Sequence, residues 1–245
     1  MNKSIRKLRL VAEASVLAIG LLMSPAADAN DDLLRTAKQI FHPIPSVIPA
    51  VKDNSVTHEK VELGKMLFFD PRLSASEIIS CNTCCNLGTG GVDPGPTSVG
   101  HVWKVGLRRA PTVYNAVFNV APFWDGRAAD LKAQATGPVQ ASAEMNATPD
   151  RVHDTLNSMA SYVALVKNVF PNEARPVPFE NYAKAIEANE APLISPAAPF
   201  DQYLEGNTHA LDDQQKSGLA LFIENGCSAC HKRIDVGGQA YSHSA

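Results

Sequence analysis

The chain has 245 residues, 22 basic against 25 acidic, and 45% of its residues are hydrophobic. That is enough chain for one large or two small globular domains, and the weakly acidic balance argues against nucleic acid while leaving a docking face for a basic partner. The five cysteines fall in two tight clusters, Cys81/Cys84/Cys85 and Cys227/Cys230, which points to cofactor chemistry rather than a scattered disulfide framework.

In chain order, Lys3, Arg6, Lys7 and Arg9 precede an apolar run from Leu10 to Met23, and Ala27-Asp28-Ala29 follows. This is the layout of a secretory signal peptide cleaved after Ala29. The run is shorter than the roughly 20 apolar residues that span a bilayer. Cleavage takes the net charge to −5 and leaves a chain with no membrane span, exported to the periplasm. Leu34, Ala37, Ile40 and Phe41 share one helical face, and Pro43, Pro45 and Pro49 then stop the helix. A second helix is predicted over 59–69, ending before Pro71. Residues 86–111 hold six glycines and three prolines, a long loop of the kind kept for function or wrapped around a cofactor.

Thr148 and Pro149 form a helix start, with Val152, Leu156 and Met159 as its buried stripe. A further helix is predicted from Phe179 to Glu190, closed by Pro192 and Pro196. Asp212 and Gln215 read as a capping box with Leu211 as staple, and Gly226 as the C-terminal cap. The architecture is therefore mainly α. Residues 1–29 are assigned to the leader, 30–194 to a first domain and 195–245 to a second.

Cys227-Ser228-Ala229-Cys230-His231 is a complete c-type haem attachment motif: two thiols spaced for two thioether bonds, then a histidine set to ligate iron. A redox disulfide or half a zinc site shares the spacing; the adjacent His231 and the export signal favour haem. Cys81-Asn82-Thr83-Cys84-Cys85 has the same cysteine spacing with Cys85 where the histidine belongs. On spacing alone it is equally a disulfide with one spare thiol.

Several stretches resemble bacterial di-haem cytochrome c peroxidases. They are Glu62 to Ser74 (ELGKMLFFDPRLS), Ser80 to Gly91 apart from Cys85, Pro96 to His101, Ala110 to Val113, Phe123 to Arg127 (FWDGR), Gly137 to Gln140 and Glu144 to Asn146. The resemblance implies two cytochrome-c-like haem domains, one haem c each, and reduction of hydrogen peroxide with electrons from a small cytochrome c or cupredoxin. A homodimer is also usual in such families. By this resemblance Cys227, Cys230 and His231 hold the electron-entry haem. Cys81 and Cys84 hold the peroxidatic haem, with Cys85 on its proximal ligand position. His101 matches the histidine that caps the peroxidatic iron at rest, Glu144 the distal acid, Gln134 an amide that bonds peroxide, and Trp124 the aromatic residue between the haems.

Two departures follow. Arg109 stands where the family carries an asparagine ligand to calcium, and a cation opposes a site that needs oxygen donors, so calcium is left open. Only 14 residues follow His231, and all five methionines precede it, so the second domain is expected to be incomplete. The rival readings are a non-enzymatic mono-haem electron carrier and an inactive truncated copy.

Overall fold

The computed structural model describes residues 25–172 and 178–237, with side chains from residue 31 onward. The apolar run of the leader lies outside the described residues, as does His243. Among the described residues the molecule is helical with no strand, and no helix is long and apolar enough to cross a membrane.

The first helix, α1 (Pro25–Ile40), ends at the proline-rich connector. Helix α2 (His58–Phe69) begins where the Thr57 hydroxyl accepts from the Lys60 amide. Its end is fixed by Asp70, which is buried. The Asp70 carboxylate accepts from the Arg72 amide at 3.0 Å, from Arg72 Nη2 at 2.6 Å and from the Tyr162 hydroxyl at 2.9 Å. Each donor adds to a charge-assisted network, and this holds the chain on course to α3 (Cys81–Cys84).

Helix α4 (Leu131–Gln140) starts at Asp130, whose carboxylate accepts from the Ala133 amide at 2.7 Å. Helix α5 (Pro149–Asn157) has the expected Thr148 cap, bonded to the Arg151 amide at 3.1 Å. Val152 and Leu156 are buried as predicted, but Met159 is not on the same helix. It sits at an extended break, φ −112°, before α6 (Ala160–Val169); two short helices stand where one was expected, with Met159 half-buried against the same core.

Helix α7 (Phe179–Glu190) has the predicted bounds. It packs along α2 most extensively of any helix pair, and also on α4 and α5. Gly64 explains the closeness. A Cβ added there would fall 1.9 Å from the Ala185 carbonyl oxygen and 2.7 Å from Asn189 Cβ, so the two backbones touch where the side chain is missing. Leu63, Leu67, Phe68, Leu73, Leu156, Tyr182 and Ile186 fill the core around this crossing, each large aliphatic burial contributing roughly 1.5–3 kcal/mol.

Helix α7 is enclosed nearly all round; the Asn181 side-chain amide and Asn189 Nδ2 have no hydrogen-bond partner there, whereas Glu187 is satisfied. Glu187 accepts from Asn54 Nδ2 at 2.8 Å and from the Lys132 amide at 3.2 Å. Lys60 Nζ then donates to Asn54 Oδ1 at 2.8 Å.

Helices α8 (Pro199–Glu205) and α9 (Asp213–Glu224) belong to a second cluster. The capping box is present: Asp212 and Gln215 exchange bonds at 2.7 and 2.9 Å, and Gly226 takes φ +76°. Leu211 is buried beneath it. The same cluster draws in α1. Phe41 packs edge-on against Phe200 and beside Phe222, while the Arg233 amide donates to the Ile40 carbonyl at 2.8 Å. The N-terminal helix therefore packs with the C-terminal helices, across the sequence boundary at 195.

Candidate functional site

A cavity of about 500 Å³ opens between α3, α4, the end of α7 and the loop of residues 98–124. Cys81, Cys84, Cys85, Trp124, Gln134 and Glu144 all line it, so six of the residues singled out in sequence converge on one space. The geometry follows from local folding. Helix α4 presents Gln134 on its inner side, and the chain then turns sharply. The Glu144 amide donates to Ala141, the Asn146 amide to Ala141 and the Ala147 amide to Val139, at 2.9, 3.0 and 2.8 Å. This turn folds Glu144 back over the helix that carries Gln134.

The thiols occupy the opposite chemistry. Burial pushes Cys81 up to about 12, with Glu190 adding to it and the Tyr182 hydroxyl, 3.8 Å from the sulfur, opposing. Cys84 is pushed up to about 11 by burial and then Asp93. Cys85 lies well above its ordinary value, from burial first and then Glu190, Cys81, Cys84 and Asp93, all in the same direction. Burial is the leading cause in all three, and it holds these thiols in the protonated, unreactive form.

His101 does not line the cavity but lies against it. Its amide donates to the Glu144 carbonyl at 2.6 Å, and its Nδ1 is buried with no hydrogen-bond partner. The turn that carries it is strained: Val102 and Trp103 have φ +50° and +63°, a region non-glycine residues seldom enter. Gly100 permits the approach, since a Cβ there would be 2.2 Å from the Ala143 carbonyl.

Glu144 is half-buried. Burial raises its carboxyl above the ordinary range, Arg127 pulls the other way, and Asp93 adds to the rise. Arg127 was not singled out in sequence. Its guanidinium stacks over Phe123 at 3.4 Å from the ring centre and pairs with Asp125 at 2.8 Å, so the FWDGR run folds into one unit on the cavity rim. Trp124, 62% exposed, donates from Nε1 to the Arg109 carbonyl at 2.8 Å.

Glu190 was also missed, although the signal was present. Tyr182, Ile186 and Glu190 repeat every four residues, which sets a carboxyl on the apolar face of α7. Only 4% exposed, it lines the cavity, and burial, with Glu187 second, pushes it up to about 8 from an ordinary 4.5. The folded protein therefore keeps a proton that the unfolded chain releases. Stability from this group is full below pH 4.5 and declines as pH rises through about 8. Glu190→Gln is expected to flatten that decline, read as melting temperature followed across the same pH range.

Haem is the group the family implies; the first motif supplies its two attachment thiols, with Cys85 in the place of the proximal histidine. Two thiols sit on the wall of a mainly apolar cavity of about 500 Å³, and a buried histidine nitrogen beside that cavity lacks a partner. The second motif is placed elsewhere. Cys227, Cys230 and His231 are exposed, close after α9. The His231 ring meets Phe222 edge-on at 6.2 Å, and its Nδ1 lies 3.4 Å from the Val236 carbonyl. That contact orients the ring with Nε2 free for a metal.

Residues 58–209 match the family model described as di-haem cytochrome c peroxidase. The chain is 52% identical over 232 residues to the cytochrome c551 peroxidase of Pseudomonas aeruginosa, covering 93% of this chain and 67% of the relative. It is 41% identical over 225 residues to the cytochrome c551 peroxidase of Nitrosomonas europaea, covering 92% of this chain and 63% of the relative. The fold is similar to the crystal structure of a MauG-like protein associated with microbial copper homeostasis. There the TM-score is 0.70 at 25% identity, over 77% of this chain and 57% of that one. The chain thus spans about two thirds of the length of these two curated relatives. From the cavity with its paired thiols to the matched motifs, the chain belongs to the di-haem cytochrome c peroxidase family.

Proposed function

We propose that the protein reduces hydrogen peroxide to water at the cavity around Cys81 and Cys84. The observation that carries this reading is the convergence of Glu144 and Gln134 on the space that the two attachment thiols line. Haem, when bound through those thiols, supplies iron that takes electrons from outside and passes them to peroxide.

The protein's own groups handle protons and position. Peroxide cleavage needs a proton taken from the inner oxygen and one given to the departing oxygen, and a single carboxylate can do both. Glu144 is that group: burial weakens its acidity, which suits a carboxyl that must release and regain a proton near neutral pH. Gln134 offers an amide donor and acceptor to the bound peroxide. His101, on a strained turn tied to the Glu144 backbone, carries a buried unpartnered nitrogen that would hold the iron at rest and would have to leave to open the site. Cys227, Cys230 and His231 would hold the electron-entry haem, and Trp124 would lie on the electron path from it.

Export by the N-terminal leader to the periplasm, and a small cytochrome c or copper protein as donor, complete the reading. The first domain, 30–194, carries the peroxidatic site and the second the electron entry, with α1 packed on the second cluster.

The test is mass spectrometry of the chain exported from a cell equipped for cytochrome maturation, followed by peroxide turnover with a reduced cytochrome. Two covalent haems with turnover support the reading. One haem at Cys227 and Cys230 without turnover instead marks an electron carrier.

A further inference from the structure

We infer that Arg109 ties the loop of Asp93 to Trp124, its guanidinium acting as a built-in cation on Asp93 and its main-chain carbonyl holding Trp124, and that this wall of the cavity takes no calcium ion. Family resemblance puts a side-chain oxygen for calcium at this position, whereas arginine offers only N–H donors. The contacts are those of a clamp. Nη2 of Arg109 donates to the Asp93 carbonyl at 2.6 Å, and the Arg109 carbonyl accepts from Trp124 Nε1 at 2.8 Å. Two backbone oxygens that a hard cation could take are thereby occupied by N–H groups.

The Asp93 carboxylate, 3% exposed, is committed as well. Its Oδ2 accepts from Ser98 Oγ at 2.7 Å and from the Ala110 amide at 2.9 Å. The Gly106 amide closes the same loop onto the Ser98 carbonyl at 2.7 Å. Among the described residues, no group of three or more His, Cys, Asp or Glu side chains could hold a metal ion. Arg109 is thus a positioning residue: it places Trp124 through its main chain and holds Asp93 through its side chain, whichever chemistry the cavity hosts.

Hydrogen exchange with mass spectrometry on the purified chain tests this without reference to turnover. Arg109→Asn is expected to speed exchange roughly tenfold in peptides covering residues 93–110, the size of one lost charge-assisted hydrogen bond. Arg109→Lys keeps a cation able to reach the same carbonyl and is expected to restore protection. On the parent chain, neither millimolar calcium nor a calcium chelator should alter exchange, and calorimetry with calcium should show only heat of dilution. A one-site calcium isotherm, or exchange sped by the chelator, would overturn the inference. So would an asparagine variant that exchanges like the parent, or a lysine variant as fast as asparagine. If the asparagine variant does not fold, the calcium measurements on the parent decide alone.

Discussion

Glu144→Gln is expected to lower peroxide turnover by roughly 10²–10⁴-fold, the range for losing a positioned general acid–base group, while covalent haem content stays that of the parent. Glutamine keeps the shape and the hydrogen-bonding reach but can neither take nor give the proton. Haem content should hold because Glu144 supplies no attachment bond: the thiols are those of α3, and the carboxyl comes from the turn after α4.

The pH profile adds a second check on the same group. The carboxylate form is the one that accepts the first proton, so activity falls as pH drops through its pKa. Burial sets that pKa above the ordinary carboxylate range, Arg127 lowers it and Asp93 raises it. The acid limb of kcat/KM is therefore expected above the limb of an exposed glutamate, and Arg127→Leu should move it further up, because the opposing cation is gone. Turnover unchanged in Glu144→Gln, or a limb that shifts down when Arg127 is removed, would refute the assignment.

Gly64→Ala is expected to destabilise the fold by about 1–3 kcal/mol, the usual cost of forcing a methyl into a filled core. At this chain length that is a fall in melting temperature of roughly 2–4 °C per kcal/mol. The reason is contact with main chain rather than with a movable side chain. The new Cβ would meet the Ala185 carbonyl oxygen at 1.9 Å and its carbon at 2.6 Å, so α2 and α7 must move apart at this crossing. Gly218 is the control. It lies within α9, and a Cβ added there meets nothing within 4 Å. Gly218→Ala should then stabilise by about 0.5–1 kcal/mol through helix propensity alone. Two glycine-to-alanine changes of opposite sign, followed by thermal melting, separate packing from propensity; a Gly64→Ala variant that melts with the parent would show that the helix crossing is looser than described.

Local signals were legible in the sequence because they are set by neighbours along the chain. The Thr148 cap, the Asp212–Gln215 box and the bounds of α7 depend on hydroxyls, amides and prolines within four residues, and each is found where the pattern puts it. The paired-cysteine spacings are local too. Met159 packs on the same core as Val152 and Leu156 but off their helix: periodicity cannot register a single extended residue that splits one helix into two.

The convergence of the site was decided only by tertiary structure. Cys81, Gln134, Glu144 and Glu190 are brought to one cavity by the α2–α7 crossing and by the turn after α4, neither of which any single run of residues encodes. Packing alone also sent α1 to the C-terminal cluster, since Phe41 gains more burial against Phe200 and Phe222 than a helix end gains in solvent. Sequence by itself determined which chemical groups this protein carries and the helices that bear them. Which of those groups share a desolvated space, and so acquire shifted acidity or a clamped position, depended on contacts between residues far apart in the chain.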